Sequence, residues 1–463
     1  MAIWTPDLNG RSGPRYRAIA EAFAEDVASG QLAPGARVPA HRELADRLGV
    51  TAGTVSRAYA ELQRLGLLDG QIGRGSFVRS NRSPGGHLAD ADAQRRGIVD
   101  LSLNYPPSSP LEVAPVANAF AALARDPDLA EFIGYPPEEG HATHLEAARI
   151  WLARGGIDAR GECIVLTAGV QHALAATLAA ICEPHDTVLA DALSYPGIQG
   201  LAIMQHLQLR GLAMDDSGVL PDAFEAACRA RRVRALYTIP SLHNPTCITM
   251  PEERRREIAA IARRHDVLVI EDDIYGFMLP DLPQPILYSA PENTIYITGT
   301  SKNLAPGLRV GFAVSPPRLT ARITAMVRAT MWMPAPPMVE TFRHLVDSGD
   351  AARLVATRHA EAEARQRLAA SVLEGFEYRS HRYAPHLWLR LPDAWSGRNF
   401  SNEARLRGVS VLTSEAFALR PDAATDHVRL CIGQPRDRKV LERGLGILCG
   451  LLHEKPGQQW HYF

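Results

Sequence analysis

The sequence predicts an α/β chain of two parts: a small winged helix-turn-helix at the front and a large α/β domain with a mainly parallel sheet behind it. Three observations carry this. The first eighty residues hold three glycine-closed helical patterns followed by a short hairpin pattern. From about residue 160, short apolar runs alternate with helical patterns, as βαβ units do. Finally, a chemically useful polar group follows each of five successive apolar runs, where ligands collect in open parallel sheets.

At 463 residues the chain is too long for one ordinary core. It is 46% hydrophobic and 22% charged with a formal net charge of -1, the composition of a globular protein. There is no apolar stretch of eighteen residues, and the opening MAIWTPDLNG has no cleavable signal pattern, so a cytoplasmic protein is expected with no membrane partner. Cys163, Cys182, Cys228, Cys247, Cys431 and Cys449 form no CxxC pair and no zinc spacing, and read as buried thiols of a reducing compartment. Near-neutral charge excludes a polybasic nucleic-acid coat and leaves room for a local DNA-binding face.

In the first part, RYRAIAEAFAEDVAS places Ala20, Phe23, Ala24 and Val27 on one helical stripe, with Gly30 as its stop. A short helix HRELADRL ends at Gly49. Thr51 is placed to cap a third helix, with Val55, Ala58, Leu62 and Leu65 inward and Thr54, Arg57 and Arg64 outward. The segment LLDGQIGRGSFVRS then reads as a hairpin wing. A helix entering the major groove needs short hydroxyl side chains near its start, which Thr51, Thr54 and Ser56 supply. Arg42, Arg57 and Arg74 can neutralise phosphates or reach a base edge. The domain is expected over residues 11–79, followed by a polar, Pro/Gly-bearing linker over 80–97 and the large domain over 98–463.

Only three of the chain's fifty basic residues are lysines, and one, Lys302, lies in TGTSKNLAPGLRVGF. An arginine keeps its proton and forms no Schiff base, so an amine that attacks a carbonyl must be lysine. The runs CIVLT, TVLADA, VRALYTIP and TIYIT precede, in order, Gly169-Val170-Gln171, Tyr195, Asn244 and Lys302; the run VLVIEDD, fourth in the chain, holds Asp272 near its end with Tyr275 just beyond, and RVGFAVS comes after them all. Each group has a task that pyridoxal 5′-phosphate demands. Lys302 forms the resting imine. Asp272 sits beside the ring nitrogen, because only a protonated pyridinium is a strong electron sink. Asn244 and Tyr275 donate to the ring's phenolate oxygen, and Tyr195 stacks on the ring. Backbone N–H groups of Gly169, Val170 and Gln171 at a helix start bind the phosphate, and Arg309 closes over it. Arg429, in DHVRLCIG, is the candidate for the carboxylate of an incoming amino acid.

The segment LAPGARVPAHRELADRLGVTAGTVSRAYAELQRLGLLDGQIGRGSFV resembles the DNA-binding domain of the GntR superfamily. LHNPT, EDDIYG and SKNLAPGLRVG resemble the Asn-Pro, Asp-x-x-Tyr and Schiff-base lysine elements of fold-type I aminotransferases, across roughly residues 98–463. Together they resemble a MocR-type regulator of the GntR superfamily. That resemblance implies a large domain with a smaller C-terminal domain, a homodimer, operator DNA as partner and an amino acid or amine as effector. Some positions depart from the pattern. Ala52 and Gly53 stand where many relatives have an arginine, and Leu145 stands where arginine is usual. Cys247 replaces a glycine. Gly299 replaces a phosphate-binding serine or threonine, for which Thr298 or Thr300 is the expected substitute. The leading expectation is a regulator that senses an amine through pyridoxal phosphate. The alternatives are an aminotransferase with an appended DNA-binding domain, and a plain repressor whose large domain only dimerises.

Overall fold

The computed structural model describes residues 4–6, 8, 14–28, 32, 36–64, 68–71, 75–78, 97–107, 110–135, 137, 140–159, 163–423 and 425–454. The chain divides into two compact units, Met1–Gly86 and His87–Phe463.

The first unit has helices α1 (Arg15–Ala28), α2 (His41–Leu48) and α3 (Ala52–Arg64), then strands β1 (Leu68–Gln71) and β2 (Gly75–Val78). The strands pair antiparallel, Leu68 opposite Val78, and Arg37 bridges to Phe77 beside them. Ile19, Phe23, Leu44, Val55, Ala58, Leu62, Leu68 and Val78 form one buried core, so the apolar residues of α3 face inward as their three- and four-residue spacing dictates. Tyr59 adds a polar tie, its hydroxyl donating to the Pro39 carbonyl at 2.9 Å just before α2. Gly49 closes α2 at φ +61°, a conformation that costs a side-chain-bearing residue on the order of 1 kcal/mol. Gly30, Leu65, Arg74, the side chains of Ala24 and Arg64, and the linker up to residue 96 lie outside the described residues.

In the second unit, a seven-stranded sheet has the order Ile164–Thr167, Gly311–Val314, Thr294–Gly299, Leu268–Asp272, Ala235–Thr238, Thr187–Asp191, Gln208–Leu212. Gly311–Val314 runs antiparallel to both neighbours, and every other pairing is parallel. Six of these strands are the apolar runs read from the sequence. They are continuous because both faces are covered, by helices such as Val170–Ile181 and Pro317–Met331 on one side. The seventh, Gln208–Leu212, is an edge strand that alternates between exposed and partly buried, and its arginine and glutamine hide it from a hydrophobicity reading.

The smaller domain is a four-stranded antiparallel sheet, ordered Tyr378–Arg379, His386–Arg390, His427–Cys431, Leu412–Thr413. Helix Arg438–His453 covers it with Leu441, Leu445, Leu448 and Leu452, capped by Asp437, whose carboxylate accepts from Val440 N–H at 2.8 Å. This domain is not purely C-terminal. Val99 and Leu101 belong to its core, and Val99–Asp100 pairs parallel with Val409–Ser410. Among the described residues no helix is long and apolar enough to cross a membrane.

Candidate functional site

The predicted site residues come together where the parallel strands end and the two domains of the second unit meet. Asp272 closes its strand and is 2% exposed. The Tyr237 hydroxyl donates to it at 2.8 Å, and Ile274 N–H reaches its other oxygen at 3.3 Å. Burial nevertheless pushes its carboxyl up to about 7, with Asp273 adding to the rise. Lys302, half-buried, donates from Nζ to the Asn104 carbonyl and lies 5.8 Å from the centre of the Tyr275 ring. Burial lowers its ammonium to about 8; the Arg429 and Arg309 cations push the same way, while Cys431 and Asp272 oppose. The Tyr275 hydroxyl accepts from Asn104 Nδ2 at 2.8 Å.

Asn244 is 4% exposed and accepts at Oδ1 from Arg429 Nη1 at 2.8 Å. Arg429, equally buried, also donates through Nη2 to the Ser102 carbonyl and sits 4.8 Å from the centre of the Phe417 ring. Tyr195 precedes helix Pro196–Met204; burial raises its hydroxyl's pKa, and Asp272 adds to the rise.

A second cluster lies at the start of helix Val170–Ile181. Gly169 caps it at φ +87°, and a Cβ there would stand 2.6 Å from Arg309 Nη2, so only glycine allows the guanidinium this close. Arg309 donates to Ser301 Oγ at 3.2 Å and to the Ala168 carbonyl at 3.4 Å. A helix start, a guanidinium and a hydroxyl in one place can hold a phosphate. Gln171 lies behind, its Nε2 3.4 Å from the Gly197 carbonyl.

Thr300 departs from its expected place. Its hydroxyl donates to the Val310 carbonyl at 3.1 Å, and Thr298 donates to the Asp273 carbonyl at 3.1 Å. Both are spent on the main chain, and Ser301 is the hydroxyl that meets Arg309. Cys247 holds φ +59°, the left-handed conformation that favours glycine, while its thiol donates to the His386 carbonyl at 3.3 Å. Leu145 packs against the large-domain core.

Among the residues of the site that escaped the sequence reading are Asn104, Ser301, Tyr237 and His386. Tyr237 and His386 sit inside strands whose apolar pattern gives no sign of a polar task. Asn104 reaches the site only through tertiary closure. His386 Nδ1 lies 3.2 Å from Asn104 Nδ2, and burial drives its imidazole well below the usual pKa.

The donor set fits pyridoxal phosphate. Asn104 Oδ1, Gln171 Oε1, Ser194 Oγ and Arg429 Nε are buried without hydrogen-bond partners in the protein, and a bound ligand or ordered water satisfies buried polar atoms of this kind. The Asp272 carboxyl, raised to about 7 by burial, can give its proton to a ring nitrogen and pair with the resulting cation as a carboxylate.

On the first unit, Thr51 Oγ1 accepts from Thr54 N–H at 3.2 Å and lies 2.9 Å from Thr54 Oγ1, so its hydroxyl caps α3. Ser56 Oγ is 3.1 Å from His41 Nδ1. Arg42, Ser56 and Arg57 are exposed, as are Ala52 and Gly53. Arg74 is outside the described residues.

A winged helix-turn-helix joined to a pyridoxal-phosphate fold with its lysine, aspartate and paired arginines in place is the architecture of a cofactor-bearing DNA-binding regulator. The chain belongs to the aminotransferase class I and II family, which it matches over residues 96–445, and its residues 15–78 match the bacterial regulatory proteins of the gntR family. It is 29% identical over 452 residues to the HTH-type transcriptional regulator YdeF of Bacillus subtilis, covering 97% of each chain. It is 24% identical over 443 residues to the HTH-type transcriptional regulator TauR of Rhodobacter capsulatus, covering 88% of this chain and 90% of TauR. Among solved structures, an archaeal alanine:glyoxylate aminotransferase superposes with a TM-score of 0.71 at 22% identity, over 78% of this chain and 93% of that one. LysN, the α-aminoadipate aminotransferase of Thermus thermophilus in complex with N-(5′-phosphopyridoxyl)-L-leucine, gives 0.69 at 23% identity, over 80% and 96%. The chain is thus a regulator with a GntR domain and an aminotransferase domain, and its cofactor is pyridoxal 5′-phosphate.

Proposed function

We propose that this protein is a transcriptional regulator that senses an amino acid or amine through pyridoxal phosphate carried on Lys302. The observation that carries the reading is the convergence of half-buried Lys302 with buried Asp272, Asn244, Tyr275 and Arg429, beside the unpartnered Asn104 Oδ1 and Arg429 Nε, a set that matches the functional groups of cofactor and ligand. Bound there, the cofactor supplies an electrophilic carbon that a primary amine can attack. The lowered Lys302 pKa gives a larger neutral fraction at neutral pH than an ordinary lysine has, which favours covalent attachment. Asp272 holds a proton on the ring nitrogen. Asn244 and Tyr275 face the phenolate oxygen, and Tyr195 covers the ring. Gly169, Val170, Gln171, Arg309 and Ser301 border the phosphate, while Thr300, whose hydroxyl and N–H both go to the Val310 carbonyl, supports the strand behind it. Arg429 takes the ligand's carboxylate in place of Ser102 and Asn244. Arg42, Thr51, Thr54, Ser56, Arg57 and Arg74 form the DNA face, within a domain spanning 11–79 that a linker over 80–97 joins to the cofactor domain over 98–463.

A homodimer is part of this reading. Leu111, Val113, Ile133 and Tyr135 are 73%, 67%, 71% and 87% exposed on the second unit, and Trp332 packs edge-on against Tyr135. Apolar exposure on this scale marks an interaction surface. Operator DNA as partner places the protein in the cytoplasm.

The second reading is an aminotransferase whose DNA-binding domain localises or regulates it. It draws on the electrostatic influence of Asp272 and Lys302 on one another, since a freed lysine amine in the same pocket can shuttle a proton. The visible spectrum during addition of an amino acid panel, together with operator binding, separates the two. A persistent cofactor-ligand band with changed operator affinity supports a sensor. Conversion to the amine form of the cofactor, with 2-oxo acid release at steady turnover and unchanged operator affinity, overturns it.

A further inference from the structure

Residues 97–107 form an arm that runs from the small sheet into the site. Val99 and Leu101 N–H donate to the Gly408 and Ser410 carbonyls, each at 2.8 Å, and Cys431 N–H donates back to Leu101 at 2.8 Å. Beyond that anchor, the cation that the proposed function assigns to the cofactor and the one it assigns to the ligand both hold the arm by main-chain carbonyls: Lys302 by Asn104 and Arg429 by Ser102. Asn104 also ties its side-chain Nδ2 to Tyr275 Oη at 2.8 Å and lies 3.2 Å from His386 Nδ1. One residue thus touches the lysine, the tyrosine beside it and the small domain.

We propose that this arm reads the chemical state of Lys302, with Asn104 as its positioning residue. The inference rests on the function proposed above. A free lysine ammonium has three N–H donors on a flexible stem and can serve the Asn104 carbonyl. A lysine nitrogen double-bonded to the cofactor carbon has one at most, at a position fixed by that bond, and the carbonyl loses its donor. When an amine ligand enters, the C=N bond to Lys302 breaks as a C=N bond to the ligand nitrogen forms. The two protons that the ligand's amine gives up end on Lys302, so no oxidant or reductant is needed. Lys302 then returns to Asn104 while the ligand carboxylate competes with Ser102 for Arg429. The arm follows directly in sequence on the segment that joins the DNA-binding unit, so its grip is a covalent route from the ligand to that unit.

Hydrogen exchange of the full-length protein tests this in three states: cofactor-free, loaded with pyridoxal 5′-phosphate, and loaded then treated with O-methylhydroxylamine, which captures the cofactor carbon and frees Lys302. Peptides covering 97–107 are expected to exchange about tenfold faster when loaded, because losing the Lys302 bond to the Asn104 carbonyl makes opening of the arm and exposure of its amides easier, and to slow again on treatment. In Lys302→Ala they are expected to exchange fast in all three states, and in Asn104→Ala the span between states should shrink. Equal exchange in the three wild-type states, with attachment at Lys302 mapped by borohydride reduction, overturns the inference and leaves the proposed function standing. Absence of that attachment overturns the proposed function itself. The wild-type comparison needs no variant to fold.

Discussion

The two units place their polar groups in opposite ways. On the first, Arg42, Ser56 and Arg57 are exposed on a surface whose core is wholly apolar apart from the Tyr59 tie. On the second, Asn244, Asp272 and Arg429 are at most 4% exposed, and they face one another across strand ends and a domain junction. The difference follows from what each binds. Phosphates of a duplex release counterions to solvated arginines, and groups that stay solvated until contact lose little on the way. A cofactor must have its electronics tuned, and desolvation is the largest cause that brings a lysine down to about 8 and an aspartate up to about 7 in one pocket. Substitutions should therefore act sharply in the second unit and gently in the first.

The sharpest break is Lys302→Ala. The effect of an amine ligand on operator affinity is expected to vanish, while ligand-free affinity stays within about twofold, measured by fluorescence anisotropy. A ligand response that survives would separate sensing from this lysine. Next comes Arg429→Ala, expected to weaken amino acids by about 100-fold and simple amines by less than about threefold, because a buried bidentate carboxylate partner is lost. Titration followed by cofactor absorbance reads this.

The third concerns pH in the cofactor-free protein. Asp272 has a folded pKa of about 7 against about 4 unfolded, so between these values the folded state holds a proton that the unfolded chain has lost. Stability is expected to fall as pH rises from about 4 to about 7 and to level off between about 7 and about 8, above which the lowered Lys302 pKa makes it rise again. Glu271, also raised to about 7 by burial, adds to the slope. Asp272→Asn should flatten the urea-denaturation profile by on the order of 1 kcal/mol or more. An unchanged slope would contradict the burial argument. In the first unit, Arg57→Ala is expected to weaken operator binding by about tenfold. If Arg57 meets a phosphate, it should also lower the salt slope of log K by about one. The smallest effect is Thr51→Ala, which removes the α3 cap at a cost of about 1 kcal/mol in thermal unfolding of that unit.

How much could be read beforehand follows the same division. The apolar stripe of α3 and the six continuous sheet strands declared themselves because each is buried along its length, and burial writes a local period. Gln208–Leu212 did not, since an edge strand carries Arg210 on its open side. The groups at strand ends were visible as residue types in order, but not the direction each points. Thr298 and Thr300 looked like hydroxyls for a phosphate, yet both bond to main-chain carbonyls, and Ser301 next to them meets Arg309. Asn104 was invisible for a different reason. It lies 198 residues before Lys302 and 282 before His386, and no local pattern encodes a meeting made by domain closure.

Borohydride reduction of the full-length protein saturated with pyridoxal 5′-phosphate, followed by peptide mapping, tests the covalent attachment on which sensing depends. A single labelled peptide containing Lys302 is the expected result, with Lys439 and Lys455 unlabelled. A label on either of those two lysines instead, or no label at all, would contradict it.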